Sequence, residues 1–94
     1  MSKFLVHAGA DHVGVAVEDI AKNEQVEGVY MDSGKKTKVK SKDGIPLGHK
    51  LALRGIKSGE KVVEYGEVIG VATQNIEAGN HVHVHNIRSL RWSN

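Results

Sequence analysis

The chain contains no cysteine, which excludes a disulfide scaffold, a thiolate zinc site, a thiol nucleophile and an iron–sulfur ligand set built from its own residues. Its apolar runs are only a few residues long, so neither a membrane-spanning helix nor a signal-peptide core is expected. Aromatic residues make up 4% of the chain, too few to interleave with basic groups and stack on nucleic-acid bases. The phosphate-cradling patterns G-x-G-x-x-G and G-x-x-x-x-G-K-[ST] are missing, as is the G-x-S-x-G of a serine nucleophile. The expectation is a soluble, cytoplasmic protein with no nucleic-acid or membrane partner. Histidine, lysine, tyrosine and carboxylates remain for chemistry.

What is present fits one small globular domain. Ninety-four residues with a single proline leave no room for two cores, and 39% hydrophobic with 26% charged residues is too balanced for disorder. The net charge of +2 is local in origin: Lys35, Lys36, Lys38, Lys40 and Lys42 are five of the thirteen basic residues, and without them acids outnumber bases. The alternation Thr37-Lys38-Val39-Lys40-Ser41 reads as a lysine-studded edge strand, which resists edge-to-edge pairing, rather than as a phosphate-binding face.

Valine and isoleucine together number nineteen, and β-branched side chains favour strands. Eleven glycines cut the chain into strand-sized runs at 3–7, 12–17, 25–31, 36–41, 49–53, 61–64, 68–71 and 81–87. Asp32-Ser33-Gly34 suits a hairpin turn with Gly34 at positive φ, and a helical turn is expected only at 18–22. One seven-residue frame recurs: Ile20-x-x-Asn23-x-x-Val26, Ile45-x-x-Gly48-x-x-Leu51, Ile56-x-x-Gly59-x-x-Val62 and Ile76-x-x-Gly79-x-x-Val82. Its fourth residue is Gly or Asn, the types that enter the left-handed region most readily. Each frame therefore reads as a buried anchor, a tight turn and a new strand whose third residue points inward. The starts lie 25, 11 and 20 residues apart, which is not a solenoid.

The most pointed chemical pattern is His81-Val82-His83-Val84-His85-Asn86. On a strand the three histidines would share one face and the valines the other. Alternate residues lie roughly 6.5–7 Å apart, so neighbouring His-x-His rings can converge on one divalent ion, whereas the outer two start about 13 Å apart. The competing reading is an exposed polar face. His49 and Lys50 follow the turn glycine of the second frame, where a histidine beside a lysine can bind a substrate carboxylate or handle a proton near neutral pH; two plain loop residues are the alternative. The Tyr65 phenol either meets a ligand or closes the core. His7 and His12 lack convincing partners and read as structural or surface residues.

The blocks Ile45-Pro46-Leu47-Gly48-His49-Lys50-Leu51-Ala52-Leu53, Tyr65-Gly66-Glu67-Val68-Ile69-Gly70 and Gly79-Asn80-His81-Val82-His83-Val84-His85-Asn86 resemble the small SAF-type domain of the altronate and galactarate dehydratase family. Phe4-Leu5-Val6-His7, Asp11-His12-Val13-Gly14-Val15-Ala16-Val17 and Arg91-Trp92 look most like the free-standing alpha, or small, subunit of the family's sulfo-lyases. The resemblance implies a mainly β, turn-rich β-clip fold forming one SAF-like domain over 1–94. It implies a lyase subunit that is inactive without a large catalytic subunit and acts on a small anionic hydroxy acid, removing sulfite from (2R)-sulfolactate or water from a sugar acid such as altronate. On that footing His49 and His85 are the candidate proton-transfer groups, and Lys50, Tyr65 and Asn86 the candidate substrate contacts. His81, His83 and His85 are then candidate ligands of a divalent transition metal of the iron or manganese class. A noncatalytic anion- or sugar-binding module, or an assembly subunit, is the alternative of a different kind.

Overall fold

The computed structural model describes residues 2–89; Arg91 and Trp92 lie outside them. Among the described residues there is no helix, and the chain forms β1 (Phe4–Val6), β2 (Val13–Ala16), β3 (Gln25–Tyr30), β4 (Lys36–Lys40), β5 (Lys50–Ala52), β6 (Lys61–Glu64), β7 (Glu67–Ala72), β8 (His81–Val82) and β9 (Ile87–Ser89). One sheet has the order β4-β3-β1-β2-β5-β8 and the other β6-β7-β9. The strands follow the apolar runs between glycines; β1 to β5 are shortened by one residue at one or both ends, β6 matches, and β7 runs one residue further at each end. The helical turn expected at 18–22 is absent: Ile20 instead exchanges two backbone hydrogen bonds with Ile45, both 2.8 Å. The lysine-rich segment is the edge strand β4, with Lys36, Lys38 and Lys40 exposed.

The isoleucine frames organise everything else. Asn23, Gly48, Gly59 and Gly79 all have positive φ, between 67° and 91°. Ile20, Ile45, Ile56 and Ile76 are buried, as are Val26, Leu51, Val62 and Val82 three residues beyond the turns. Burial of one such side chain stabilises the fold by about 1.5–3 kcal/mol. The frames combine in pairs. Ile20 bridges to Ile45, and Ile56 to Ile76.

Each pairing is reinforced by a small buried residue four positions before the isoleucine: Ala16, Ser41, Ala52 and Ala72. The Gly48 N–H donates to the Ala16 carbonyl and Ala16 N–H to that of His49; Asn23 and Glu24 exchange the same two bonds with Ser41. In the second pair, Gly79 and Asn80 dock on Ala52, and Gly59 and Glu60 dock on Ala72. A larger side chain at these four places would hold the turns away from their partners. The unit is thus [Ala/Ser]-x-x-x-Ile-x-x-[Gly/Asn]-x-x-[Val/Leu], used four times as two reciprocal pairs.

The two pairs build two clusters of buried side chains. Phe4, Val6, Ala16, Ile20, Val26, Ile45 and Leu51 form one, and Val13, Ala52, Ile56, Val62, Ala72, Ile76 and Val82 the other. Phe4 fits because Gly28, opposite it on β3, and Gly14 on β2 lack side chains: a Cβ on Gly28 would stand 2.1 Å from its ring, and one on Gly14 2.7 Å. The halves are joined where the second and fourth frames meet. There Lys42 N–H donates to the Gly79 carbonyl at 2.9 Å, and a Cβ on Gly79 would fall 2.1 Å from the Lys40 carbonyl oxygen.

Candidate metal centre

That junction carries the histidines. His49 follows the turn of the second frame and leads into β5; His81 opens β8, which pairs antiparallel with β5 so that Leu51 faces His81. The two rings meet in spite of their separation in sequence, with Nδ1 of His49 2.9 Å from Nε2 of His81. His83 completes the group: one ring nitrogen from each of His49, His81 and His83 lies within 4.8 Å of the others.

The expected strand 81–87 is broken, and the geometry of the three C-terminal histidines changes with it. β8 pairs with β5 in the larger sheet, whereas Ile87 pairs with Ala72 in the smaller one. The chain therefore switches sheets within a few residues, and 83–86 turn. Val84, expected to share a face with Val82, is 81% exposed, whereas Val82 is buried. Asn86 holds the turn: its Oδ1 accepts the His83 N–H at 2.9 Å and its Nδ2 donates to the His81 carbonyl at 2.7 Å. It is 3% exposed, with both ends of its amide engaged inside the loop. Asn86, expected as a substrate contact, supports the loop in this structure.

The ligand grouping also differs from expectation. His49 joins His81 and His83, while the His85 ring lies tilted against that of His81 at a centroid distance of 5.3 Å and stays outside the group of three. His83 and His85 are exposed, and His49 and His81 partly buried. The trio fits a transition-metal ion in donor type and spacing. Imidazole nitrogens bound at about 2.0–2.1 Å in adjacent positions sit roughly 3 Å apart, and His49 and His81 are already there. Such an ion needs neutral rings, and His81 is held below its ordinary pKa of 6.5, first by burial and then by repulsion from His49, His85 and His83, with Asp43 opposing.

Asp43, which sequence reasoning passed over, braces the site from behind. Its Oδ2 accepts the His81 backbone N–H at 2.9 Å and the Asn80 side-chain N–H at 3.0 Å. The His81 N–H bond is the main reason its carboxyl lies below the usual aspartate range, against the opposing effect of burial. Asp43-Gly44 reads in sequence as ordinary turn chemistry, and nothing local marks its reach to residue 81.

Lys50 faces elsewhere. Adjacent strand residues point to opposite sides, and the Lys50 ammonium lies 3.7 Å from the Glu64 carboxylate while His7 Nε2 approaches the same carboxylate at 3.6 Å. Tyr65 is 64% exposed and stacks on His7 at 3.6 Å, so it does not close the core. His7 and His12, expected to lack partners, have them: His12 Nδ1 accepts the Val63 N–H at 2.9 Å. Nearby, the carboxylate of the fully buried Asp11 accepts N–H bonds from Ala8, Tyr65 and Gly66. Lys50 and Tyr65 thus belong to one cluster, and His49, His81 and His83 to another.

Strand pairs clipped together by glycine turns, with a polar cluster at their junction, define a small SAF-type β domain. The altronate/galactarate dehydratase SAF domain family matches residues 2–90, and the chain belongs to it. It is 42% identical over 90 residues to a (2R)-sulfolactate sulfo-lyase subunit alpha of Chromohalobacter salexigens, covering 95% of this chain and 96% of that one. A protein of the same description from Paracoccus pantotrophus is 46% identical over 52 residues, 55% of this chain and 78% of the relative. The altronate dehydratase of Bacillus subtilis is 37% identical over 89 residues, 95% of this chain but only 17% of that enzyme.

Proposed function

We propose that the chain is the small subunit of a two-component lyase that eliminates sulfite from (2R)-sulfolactate, with loss of water from a related sugar acid such as altronate as the alternative reaction. The observation that carries this reading is the convergence of His49, His81 and His83 in a chain that matches a sulfo-lyase alpha subunit nearly end to end. The match to altronate dehydratase, where the equivalent segment is a small part of a long chain, supports a large catalytic partner for this one.

The elimination removes a proton from the carbon that bears the carboxylate, and the C–S bond at the next carbon breaks with its electron pair leaving on sulfite. The carbanion-like transition state needs a base, a stabiliser for the charge gathering on the carboxylate, and donors for the leaving group. His49, His81 and His83 are the residues that would hold a divalent cation, of the iron or manganese class. Such an ion supplies Lewis-acid stabilisation of that charge. His85, exposed at the edge of the trio and outside it, is the imidazole placed for proton transfer. Lys50, paired with Glu64 on the other side of β5, stands apart from this group and is left out of the proposed chemistry. A cytoplasmic setting goes with this reading.

The test is reconstitution. The purified chain is expected to release no sulfite from sulfolactate, and activity should appear on mixing with a large subunit of the family. Turnover by the isolated chain would refute a site shared across the interface. Failure of every family large subunit to bind the chain would favour the noncatalytic binding module.

A further inference from the structure

The four frames share more than their turns. In each, the N–H of the residue four after the isoleucine donates to the carbonyl of the residue one after it: Glu24 to Ala21, His49 to Pro46, Glu60 to Lys57 and Asn80 to Glu77. In three of them the bond is reciprocated by a side chain. Glu24 Oε1 accepts the Ala21 N–H at 3.0 Å, Glu60 Oε1 that of Lys57 at 2.9 Å, and Asn80 Oδ1 that of Glu77 at 2.7 Å. The residue at this place in the second frame is His49. Its Nδ1 hangs from Cγ as the Asn80 Oδ1 does, so it is placed to accept the same bond. Residue 46, however, is the only proline in the chain and has no N–H to give. Nδ1 of His49 points instead to His81.

We propose that Pro46 is a positioning residue for the histidine site: by removing the turn's donor, it keeps His49 Nδ1 out of the turn and available to His81, His83 and the cation they would hold. Three related turns consume the side chain at this place in capping; the second releases it. The metal part of this inference rests on the reading above, whereas the release of Nδ1 is a property of the metal-free chain.

Pro46→Ala is the test. Pro46 is exposed, and the same place in the first frame is already an alanine, so the turn accommodates it. In the metal-free full chain near pH 8, long-range ¹H–¹⁵N spectra of the variant should show His49 Nδ1 accepting a hydrogen bond from the backbone amide gained at position 46, which becomes slow to exchange. Titration with Co²⁺ or Zn²⁺ should show affinity at least about tenfold weaker than wild type, the range for disturbing the support of a metal ligand. Lys57→Pro makes the opposite change in a frame without histidine and should leave both readouts unchanged. An open, fast-exchanging amide at position 46 with an unshifted Nδ1 overturns the proposal, as does equal metal affinity in wild type and Pro46→Ala, or an equal loss in Lys57→Pro. A wild-type chain that binds no metal removes the metal reading, and the Nδ1 signal still decides the role of Pro46.

Discussion

His49 and His81 are 32 residues apart in the chain, yet Nδ1 of one lies 2.9 Å from Nε2 of the other. They meet because the second and fourth frames are laid side by side by β5 and β8, with Asp43 tying the backbone of His81 and the side chain of Asn80 to the second frame's approach. A histidine cluster assembled in this way depends on the junction between the two halves, not on a local motif.

Removal of single imidazoles should therefore sort the histidines. His49→Ala and His83→Ala are expected to lower transition-metal affinity by at least about tenfold, since a three-ligand site becomes a two-ligand one. His85→Ala should leave it within about threefold, because that ring lies outside the trio. Calorimetric titration with Zn²⁺ checks the order; a larger loss for His85→Ala than for His49→Ala contradicts the assignment.

The metal-free chain should lose stability as the solution is acidified. The folded pKa of His81 is lowered, so the unfolded chain takes up its proton first as pH falls below the ordinary 6.5. Stability is full above that value and declines until the folded pKa is passed. Asp43, also lowered, acts in the same direction further down: its contribution is present above the ordinary 3.8 and is lost as pH falls through its folded pKa. Denaturant midpoints measured from pH 8 to pH 5 should fall for the wild type and fall less for His81→Asn. Parallel curves would remove His81 as the cause.

Two glycines of similar backbone geometry offer a controlled comparison. Gly59 and Gly79 have φ of 87° and 91°, but a Cβ meets nothing at Gly59 and the Lys40 carbonyl at 2.1 Å at Gly79. Gly59→Ala should cost about 1–2 kcal/mol, the left-handed penalty alone. Gly79→Ala adds overpacking of about 1–3 kcal/mol and should disturb the histidine junction as well. Equal losses in chemical denaturation would show that the Lys40 contact yields freely.

Asn86→Ala should destabilise the chain by about 1–3 kcal/mol, because it leaves the His83 N–H and the His81 carbonyl without their partner in a partly buried loop. Exchange of the His83 amide should accelerate more than that of amides in β3. Unchanged protection at His83 would contradict the bracing role.

The sequence made the anchors and turns legible because isoleucine, then glycine or asparagine, then an aliphatic residue is a pattern that only burial and positive φ explain together. The small residues four positions earlier escaped notice. Alanine is common and announces nothing until its partner turn is known. Pairing of the first frame with the second, and of the third with the fourth, was likewise hidden, since identical frames give no sign of which will join. At the site, His81, His83 and His85 stood out, but alternation continues through 81–87 while the backbone changes sheet at 83. That hid the turn, and with it the exchange of His85 for His49. Lys50 was read with His49 because they are neighbours; on a strand, neighbours face apart.

On the proposed reading, the histidine junction of this small subunit serves elimination chemistry completed by a larger partner. The deciding measurement is the rate of sulfite release from sulfolactate by the reconstituted pair, with wild-type, His83→Ala or His85→Ala small subunit at matched assembly. Both histidine variants should bind the partner normally and fall at least about tenfold in turnover, the lower range for loss of an acid–base or electrostatic group, while lysine-to-serine changes within 35–42 leave the rate near wild type. Full turnover by both histidine variants would contradict the account and leave the chain as an assembly or binding subunit.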